Sequence, residues 1–118
     1  MIKYHNTAKD NVIAELIDSE FIIKETQDVL DLLAIPDIEG CSRFIIREEN
    51  LAPAFFSIPT GLAGEVLQKI SNYRARLAII GDFTKFSSKN MNDFIRESNR
   101  MGRVLFLSSI EEAIERLS

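Results

Sequence analysis

The segment Thr60-Gly61-Leu62-Ala63-Gly64 has the residue types best suited to binding chemistry in this chain. It opens a stretch with helical spacing, so its first backbone amides have no partner within the helix and face whatever lies at the helix start. Such amides attract an anion or a polar group of a partner, because the positive end of the helix dipole lies there. The alternative interpretation is structural. The Thr60 hydroxyl can cap the helix by accepting a hydrogen bond from the amide of residue 62 or 63.

The two glycines of this segment require an explanation, because a glycine inside a helix costs roughly 1 kcal/mol relative to alanine. Gly61 and Gly64 allow either close packing of the helix against its neighbours or the approach of a ligand or partner. We expect Gly61 to serve contact at the helix start and Gly64, nearer the helix interior, to serve packing. No lysine follows where a phosphate-binding P-loop needs one, so the segment is not a nucleotide motif.

Polar candidates follow within the helix and at the end of the next apolar run. Glu65 and Lys69 are four residues apart, in the order that favours an exposed ion pair. Alternatively, Glu65 and Gln68 form a polar contact surface together with Asn72. Asp82 follows Gly81 at the end of "LAII", where it either shapes a turn or faces a ligand at a strand end.

Aromatic residues supply the apolar candidates. Phe55 and Phe56 are adjacent, so one of them must point away from any single core face, and we take Phe56 as the contact residue. Phe83 and Phe86 either cover a shallow apolar site or pack at the rim of the core. A pocket lined by one of the first pair and Phe83 would favour ligand binding, whereas a convex apolar patch over the second helix would favour a protein partner.

Composition and residue usage exclude several function classes. The chain has 118 residues, 46% of them hydrophobic, and a net charge of −4, which is typical of a cytoplasmic domain without a broad nucleic-acid footprint. The N-terminal stretch has no secretory signal, and no apolar run is long enough to span a membrane. His5 and the single cysteine, Cys41, lie in separate segments, and we interpret both as ordinary packing residues. We therefore predict no catalytic constellation, no metal site and no cofactor.

The pattern of apolar residues indicates how the chain positions these groups. Short strand-like runs alternate with helical ones after residue 11, which predicts a single α/β domain over residues 1–118. We expect one mostly parallel sheet with helices on both faces, in the order β-β-α-β-α-β-α-β-α. The strand at residues 2–6 should form an antiparallel edge, "LAII" and "VLFL" should be parallel neighbours, and the helix after "NLAPAFFSI" should begin at Thr60.

This element order and the position of Thr60-Gly61-Leu62 resemble the STAS domain of anti-sigma-factor antagonists. In that family a Ser-Gly-Leu-like stretch opens the second helix, and its serine is phosphorylated by a partner kinase. The resemblance implies a STAS-like fold and a regulatory surface at Thr60. Ile58 and Pro59 stand where those antagonists usually have an aspartate before the serine, so we favour recognition over phosphorylation.

The run "FFSIPTGLAGEVLQKISNYRARLAIIGDF" also resembles an uncharacterised bacterial family of small proteins. That likeness covers about residues 50 to 117 and implies no activity. Two hypotheses follow. The first is a non-enzymatic regulatory module that binds another protein through Thr60 to Gly64, with homo-oligomerisation left open. The alternative is a module that binds a small apolar or anionic ligand.

Overall fold

The computed structural model describes all 118 residues, and its elements follow the predicted order. The strands are β1 (Ile2–Asn6), β2 (Val12–Leu16), β3 (Arg43–Arg47), β4 (Arg76–Ile80) and β5 (Val104–Leu107). The helices are α1 (Thr26–Ala34), α2 (Leu62–Asn72), α3 (Lys89–Met101) and α4 (Ile110–Leu117). Three short 3₁₀ turns, Glu48–Asn50, Pro53–Phe56 and Ile58–Thr60, connect β3 to α2.

One five-stranded sheet organises these elements, in the order β1-β2-β3-β4-β5. β1 pairs with β2 in antiparallel fashion, and all other neighbours are parallel. Leu77 of β4 lies opposite Val104 of β5. The predicted antiparallel edge strand and the predicted parallel pairing of "LAII" with "VLFL" are both confirmed.

The sequential strand order explains where the helices lie. Each crossover after β2 advances the sheet by one strand in the same direction, and crossovers of one hand then place their helices on one face. The larger core accordingly joins α1, α2 and α3 to the sheet through residues such as Val29, Val66 and Met91. α4 follows the last strand without a crossover, and its Ala113 and Leu117 form the smaller core on the opposite face. Helices cover both faces, as predicted, in a three-to-one division.

The start of α2 differs from the prediction. The helix begins at Leu62 rather than at Thr60, and Gly61 before it has a φ of 79°. A residue with a side chain rarely adopts this left-handed conformation, so Gly61 is needed for its backbone geometry. Thr60 ends the preceding 3₁₀ turn, in which Pro59 occupies an early position. The 3₁₀ turn therefore leads into α2 through Gly61, whose left-handed backbone separates the turn from the helix.

Candidate functional site

The loops after β3 and β4 enclose a pocket of about 710 Å³ at the carboxyl ends of these strands. Strand order does not reverse within this sheet, so the pocket does not arise from a topological switch point. It is formed instead by the 3₁₀ turns that precede α2 and by the loop that precedes α3. Its lining comprises Arg47, Glu48, Glu49, Leu51, Pro53, Phe56, Ile80, Gly81, Lys85 and Phe86.

A cluster of aromatic rings forms one wall of the pocket. Phe56 stacks on Phe86 with ring centroids 4.7 Å apart and an interplanar angle of 14°. Behind this pair, Phe55 is fully buried and meets Phe56 edge to face at 5.0 Å. Phe83 lies edge to face with Phe106 of β5 at 5.2 Å. The half-buried Phe56–Phe86 stack is therefore supported from the core, which keeps an apolar surface in place on the lining of the pocket.

Glu48 connects the two loops that form the pocket. Its carboxylate pairs with Lys85 and also accepts a long hydrogen bond, 3.4 Å, from the amide of Asp82. A Cβ at Gly81 would lie 2.6 Å from Glu48 Oε1 and 2.8 Å from Glu48 Cβ. Only glycine fits at this position without displacing Glu48. The carboxylate and the glycine together place the loops after β3 and β4 in direct contact.

A buried carboxylate lies behind the pocket, and the sequence analysis missed it. Glu15 of β2 is 4% exposed; its Oε2 accepts a hydrogen bond from Arg47 Nη2 at 2.5 Å, and its Oε1 lies 2.7 Å from His5 Nε2. Burial would raise the pKa of Glu15, but the hydrogen bonds from Arg47 and His5 outweigh it and hold that pKa below its ordinary value. The signal was a glutamate within the apolar strand "VIAEL", which requires a cationic partner when it is buried.

Arg47 links this buried carboxylate to the pocket. A second guanidinium nitrogen, Nη1, donates to the carbonyl of Leu16 at 3.1 Å, while a third of the side chain stays exposed on the pocket side. The guanidinium is thus fixed in orientation by two acceptors. Arg47 therefore presents to the pocket a fixed guanidinium that is already paired with a carboxylate, rather than an unpaired cation.

The predicted site residues do not form one site. Phe56 lines the pocket, and Phe86 rather than Phe83 completes that lining. Asp82 lies in an adjoining cleft of about 770 Å³, which also contains Phe83 and Arg116. There Asp82 Oδ1 accepts hydrogen bonds from the Thr84 hydroxyl at 2.6 Å and the Thr84 amide at 3.1 Å. These bonds lower the pKa of Asp82 and match the turn-forming reading.

Thr60 is exposed, but its hydroxyl is occupied within the chain. It donates to the carbonyl of Ala54 at 2.6 Å or of Ser57 at 2.8 Å, and accepts from the amide of Leu62 at 3.3 Å. Capping of residue 62 is therefore present, although Gly61 rather than Thr60 is the N-cap residue. The hydroxyl also ties the helix start to the 3₁₀ turn that carries Phe56.

The surroundings of Gly64 contradict the prediction that this glycine allows close packing of α2. It is exposed, and no atom lies within 4 Å of the position that a Cβ would occupy. The neighbours Ala63 and Val66 make the core contacts of this helix instead. Packing within the chain therefore gives no reason for a glycine here.

Glu65 and Gln68 occupy a third location. They line a shallow depression between α1 and α2, together with Thr26, Lys69 and Asn72. The expected ion pair between Glu65 and Lys69 does not form. An exposed pair of this kind contributes at most about 1 kcal/mol, so its absence costs the helix little. The outer face of α2 is polar, so no convex apolar patch covers it.

The single cysteine lies among packing residues. Cys41 is a half-buried free thiol whose pKa is raised by burial. No group of three or more His, Cys, Asp or Glu side chains is arranged to hold a metal ion. No helix combines the length and the apolar composition required to cross a membrane.

Comparison with known proteins identifies the family. The chain is similar to a candidate anti-sigma factor antagonist from Thermotoga maritima, with a TM-score of 0.47 and 16% identity over 98% of this chain and 93% of that one. None of the curated proteins compared with the chain matches it. The family described as a domain of unknown function, DUF4180, matches residues 8–117. The chain therefore belongs to the DUF4180 family.

Proposed function

We propose that this protein is a binding module whose site is the pocket at the carboxyl ends of β3 and β4. The observation that carries the proposal is the pairing of the Phe56–Phe86 stack with Arg47 and Lys85 on the lining of one pocket. Its volume of about 710 Å³ lies within the range of small-molecule sites, roughly 300–1,000 Å³. A STAS-like regulatory module can use such a site to sense a ligand.

The lining specifies the chemistry of the ligand. Phe56, Phe86 and Ile80 offer a flat apolar surface, which suits an aromatic or extended aliphatic body. Arg47 and Lys85 lie on the same lining, and Lys85 Nζ sits 5.7 Å from the centroid of the Phe86 ring. Glu48 pairs with Lys85 and Glu49 also lines the pocket, so an anionic group binds here by replacing Glu48 at Lys85. A ligand with an apolar body and one anionic group fits this arrangement. No nucleophile with an adjacent base lines the pocket, so binding rather than catalysis is the function proposed.

The test uses 1-anilinonaphthalene-8-sulfonate, an aromatic anion with the proposed chemistry, in a fluorescence titration. We expect Phe86→Ala and Lys85→Gln to weaken its binding about fivefold and about threefold, since stacking contributes about 1 kcal/mol and an exposed charge less. Lys89→Gln is the matched control, because Lys89 is exposed on α3 and away from the pocket. Native mass spectrometry of the purified protein would then show whether a small molecule is retained.

Near-ultraviolet circular dichroism must show native packing in each variant, because this dye also binds partly unfolded chains. Unchanged affinity in folded Phe86→Ala and Lys85→Gln would exclude the pocket as the binding site. Loss of binding in Lys89→Gln alone would place the site elsewhere.

Recognition of a protein partner at the helix start is the second candidate, and the bare surface at Gly64 favours it. A glycine in the first turn of α2 costs roughly 1 kcal/mol relative to alanine, and nothing in the chain compensates that cost. A partner that approaches the backbone closely would explain it. Thr60, Gly61, Glu65 and Gln68 are exposed around this position.

Substitutions on this surface separate the two candidates. Gly64→Gln and Thr60→Glu should abolish capture of a protein that immobilised wild type retains, and should leave dye binding in the pocket unchanged. Lys89→Gln, which changes an exposed residue of α3, is again the control. If both variants still capture that protein, the helix start is not its binding surface.

A further inference from the structure

Three arginines stand in adjacent positions at the amino ends of three parallel strands. Arg43 is the register partner of Arg76, and Arg103 directly precedes Val104, the partner of Leu77. Neighbouring strands are about 4.8 Å apart, so the three backbone positions form a row about 10 Å long. The next residue of each strand belongs to the larger core, so the three arginine side chains share the opposite face, on which α4 lies.

Each guanidinium donates one hydrogen bond to a backbone carbonyl. The bonds run from Arg43 Nε to Leu117 O at 2.6 Å, from Arg76 Nε to Gly102 O at 3.0 Å and from Arg103 Nη1 to Ala75 O at 3.1 Å. None of the three forms an ion pair with a carboxylate. The Nη groups of Arg43 and Arg76 therefore have no partner within the chain, although these residues are half-buried.

The helix ends explain the location of these cations but not their convergence. Leu117 and Gly102 lie at the carboxyl ends of α4 and α3, where the helix dipole attracts positive charge. Arg116, exposed on α4, adds a fourth guanidinium and donates to the carbonyl of Asn99 at 3.2 Å. Burial and the charges of Arg43, Arg103 and Arg116 lower the pKa of Arg76, so the cations repel one another. A bound anion would relieve that repulsion.

We propose that this arginine row, formed by Arg43, Arg76 and Arg103 with Arg116 beside it, binds a compact oxyanion of the phosphate class. Guanidinium forks match phosphate oxygens, and a row about 10 Å long accommodates one such group. The chain as a whole has a net charge of −4, which repels a polyanion, so an isolated phosphate or phosphomonoester fits better than nucleic acid. This site lies at the end of the strands opposite the pocket and does not depend on the proposed function.

Isothermal titration calorimetry at constant ionic strength tests the row with inorganic phosphate, with phenyl phosphate and with a short DNA duplex. We expect both phosphates to bind to wild type, and Arg76→Gln to weaken that binding about tenfold or more, because a charge-assisted hydrogen bond contributes about 1.5–3 kcal/mol. Binding of phenyl phosphate but not of inorganic phosphate would assign the site to phosphomonoesters. Arg116→Gln should weaken binding by a few-fold.

Arg96→Gln is the matched control, since Arg96 is an exposed arginine of α3 that pairs with Asp93 at 2.5 Å. It should bind phosphate like wild type. If Arg76→Gln fails to fold, the phosphate affinity of Arg116→Gln is compared with that of Arg96→Gln, and equal affinities would contradict the proposal. Equal heats from phosphate and chloride, unchanged phosphate affinity in the folded arginine-row variants, or tighter binding of the duplex than of phosphate would each overturn the proposal.

Discussion

The two ends of β3 carry the same residue type in different surroundings. Arg47, at the carboxyl end, is bound by the carboxylate of Glu15 and by a backbone carbonyl, and it lies on the lining of a pocket. Arg43, at the amino end, is bound by the carbonyl of Leu117 alone and has no carboxylate partner. The local sequence "RFIIR" is nearly symmetric and does not distinguish them.

The difference comes from the neighbouring strand and from the connections that reach each end of the sheet. Glu15 of β2 neutralises Arg47, and the long connection after β3 and the loop after β4 add acidic and aromatic side chains that form an open pocket. β4 and β5 follow the carboxyl ends of α2 and α3 through short turns, and the carboxyl end of α4 reaches Arg43, so the amino ends of these strands meet backbone carbonyls rather than carboxylates. The carboxyl end of this sheet is thus shaped for an apolar body, and the amino end is left with unbalanced positive charge.

The largest expected loss of stability comes from removing the carboxylate that distinguishes the surroundings of Arg47 from those of Arg43. Glu15→Gln should lower the free energy of unfolding by about 2–4 kcal/mol at pH 7, because it leaves Arg47 without its carboxylate. Urea denaturation measures this loss. The control is Glu20→Gln, which changes an exposed glutamate in the loop after β2.

The same variant has a pH signature. The pKa of Glu15 is depressed in the folded state, so its contribution is complete above the ordinary value of 4.5 and is lost as pH falls through the folded pKa. Wild type should therefore lose its advantage over Glu15→Gln on acidification below pH 4.5. The prediction is wrong if the difference in the free energy of unfolding between wild type and Glu15→Gln stays constant as the pH falls. Glu15 would then not be stabilised as a carboxylate in the folded state.

A smaller effect is expected where the carboxyl-end loops meet. Gly81→Ala places a Cβ within 2.8 Å of Glu48 Cβ, which must move and loosen its contacts with Lys85 and Asp82. Overpacking of this kind costs about 1–3 kcal/mol. Thermal unfolding and dye affinity should both fall. An unchanged melting temperature would mean that Glu48 does not brace the two loops, and that the pocket is less rigid than its contacts indicate.

The smallest effects are expected at the helix start beside the pocket, and they have opposite signs. Gly61→Ala should destabilise by about 1 kcal/mol, because alanine is strained at a φ of 79°. Gly64→Ala should stabilise by about 0.5–1 kcal/mol, because the position is helical and open. Paired urea titrations measure both changes. A loss of stability in Gly64→Ala would mean that Gly64 is required for close packing after all.

Local patterns predicted most of the fold. Alternating apolar runs indicated the strands and their order, and the glycine at residue 102 marked the end of α3, where φ is 86°. The start of α2 was misplaced by two residues, because Ile58, Pro59 and Thr60 form a separate 3₁₀ turn whose hydrogen bonds reach back to Ala54 and Ser57. Gly61, with a φ of 79°, separates this turn from α2, so the two do not merge into one continuous helix.

The candidate site was predicted less completely, since its parts are distant in sequence. Phe56 was identified from its adjacency to Phe55, which correctly required one ring to leave the core. Its stacking partner Phe86 lies 30 residues away, and Glu15 lies 32 residues from Arg47. No spacing rule connects such residues before the register of the sheet is known.

The sequence by itself determined the alternation of strands and helices, the faces that those elements bury, and the need for glycine where a side chain would be strained. These are consequences of short-range sterics and of apolar periodicity, both of which are present in any few consecutive residues. Only the tertiary structure decided that Arg47 meets a buried carboxylate while Arg43, Arg76 and Arg103 align without one. The pairing of charges depends on which strand ends become neighbours, and that is fixed by the packing of the whole sheet rather than by any local preference.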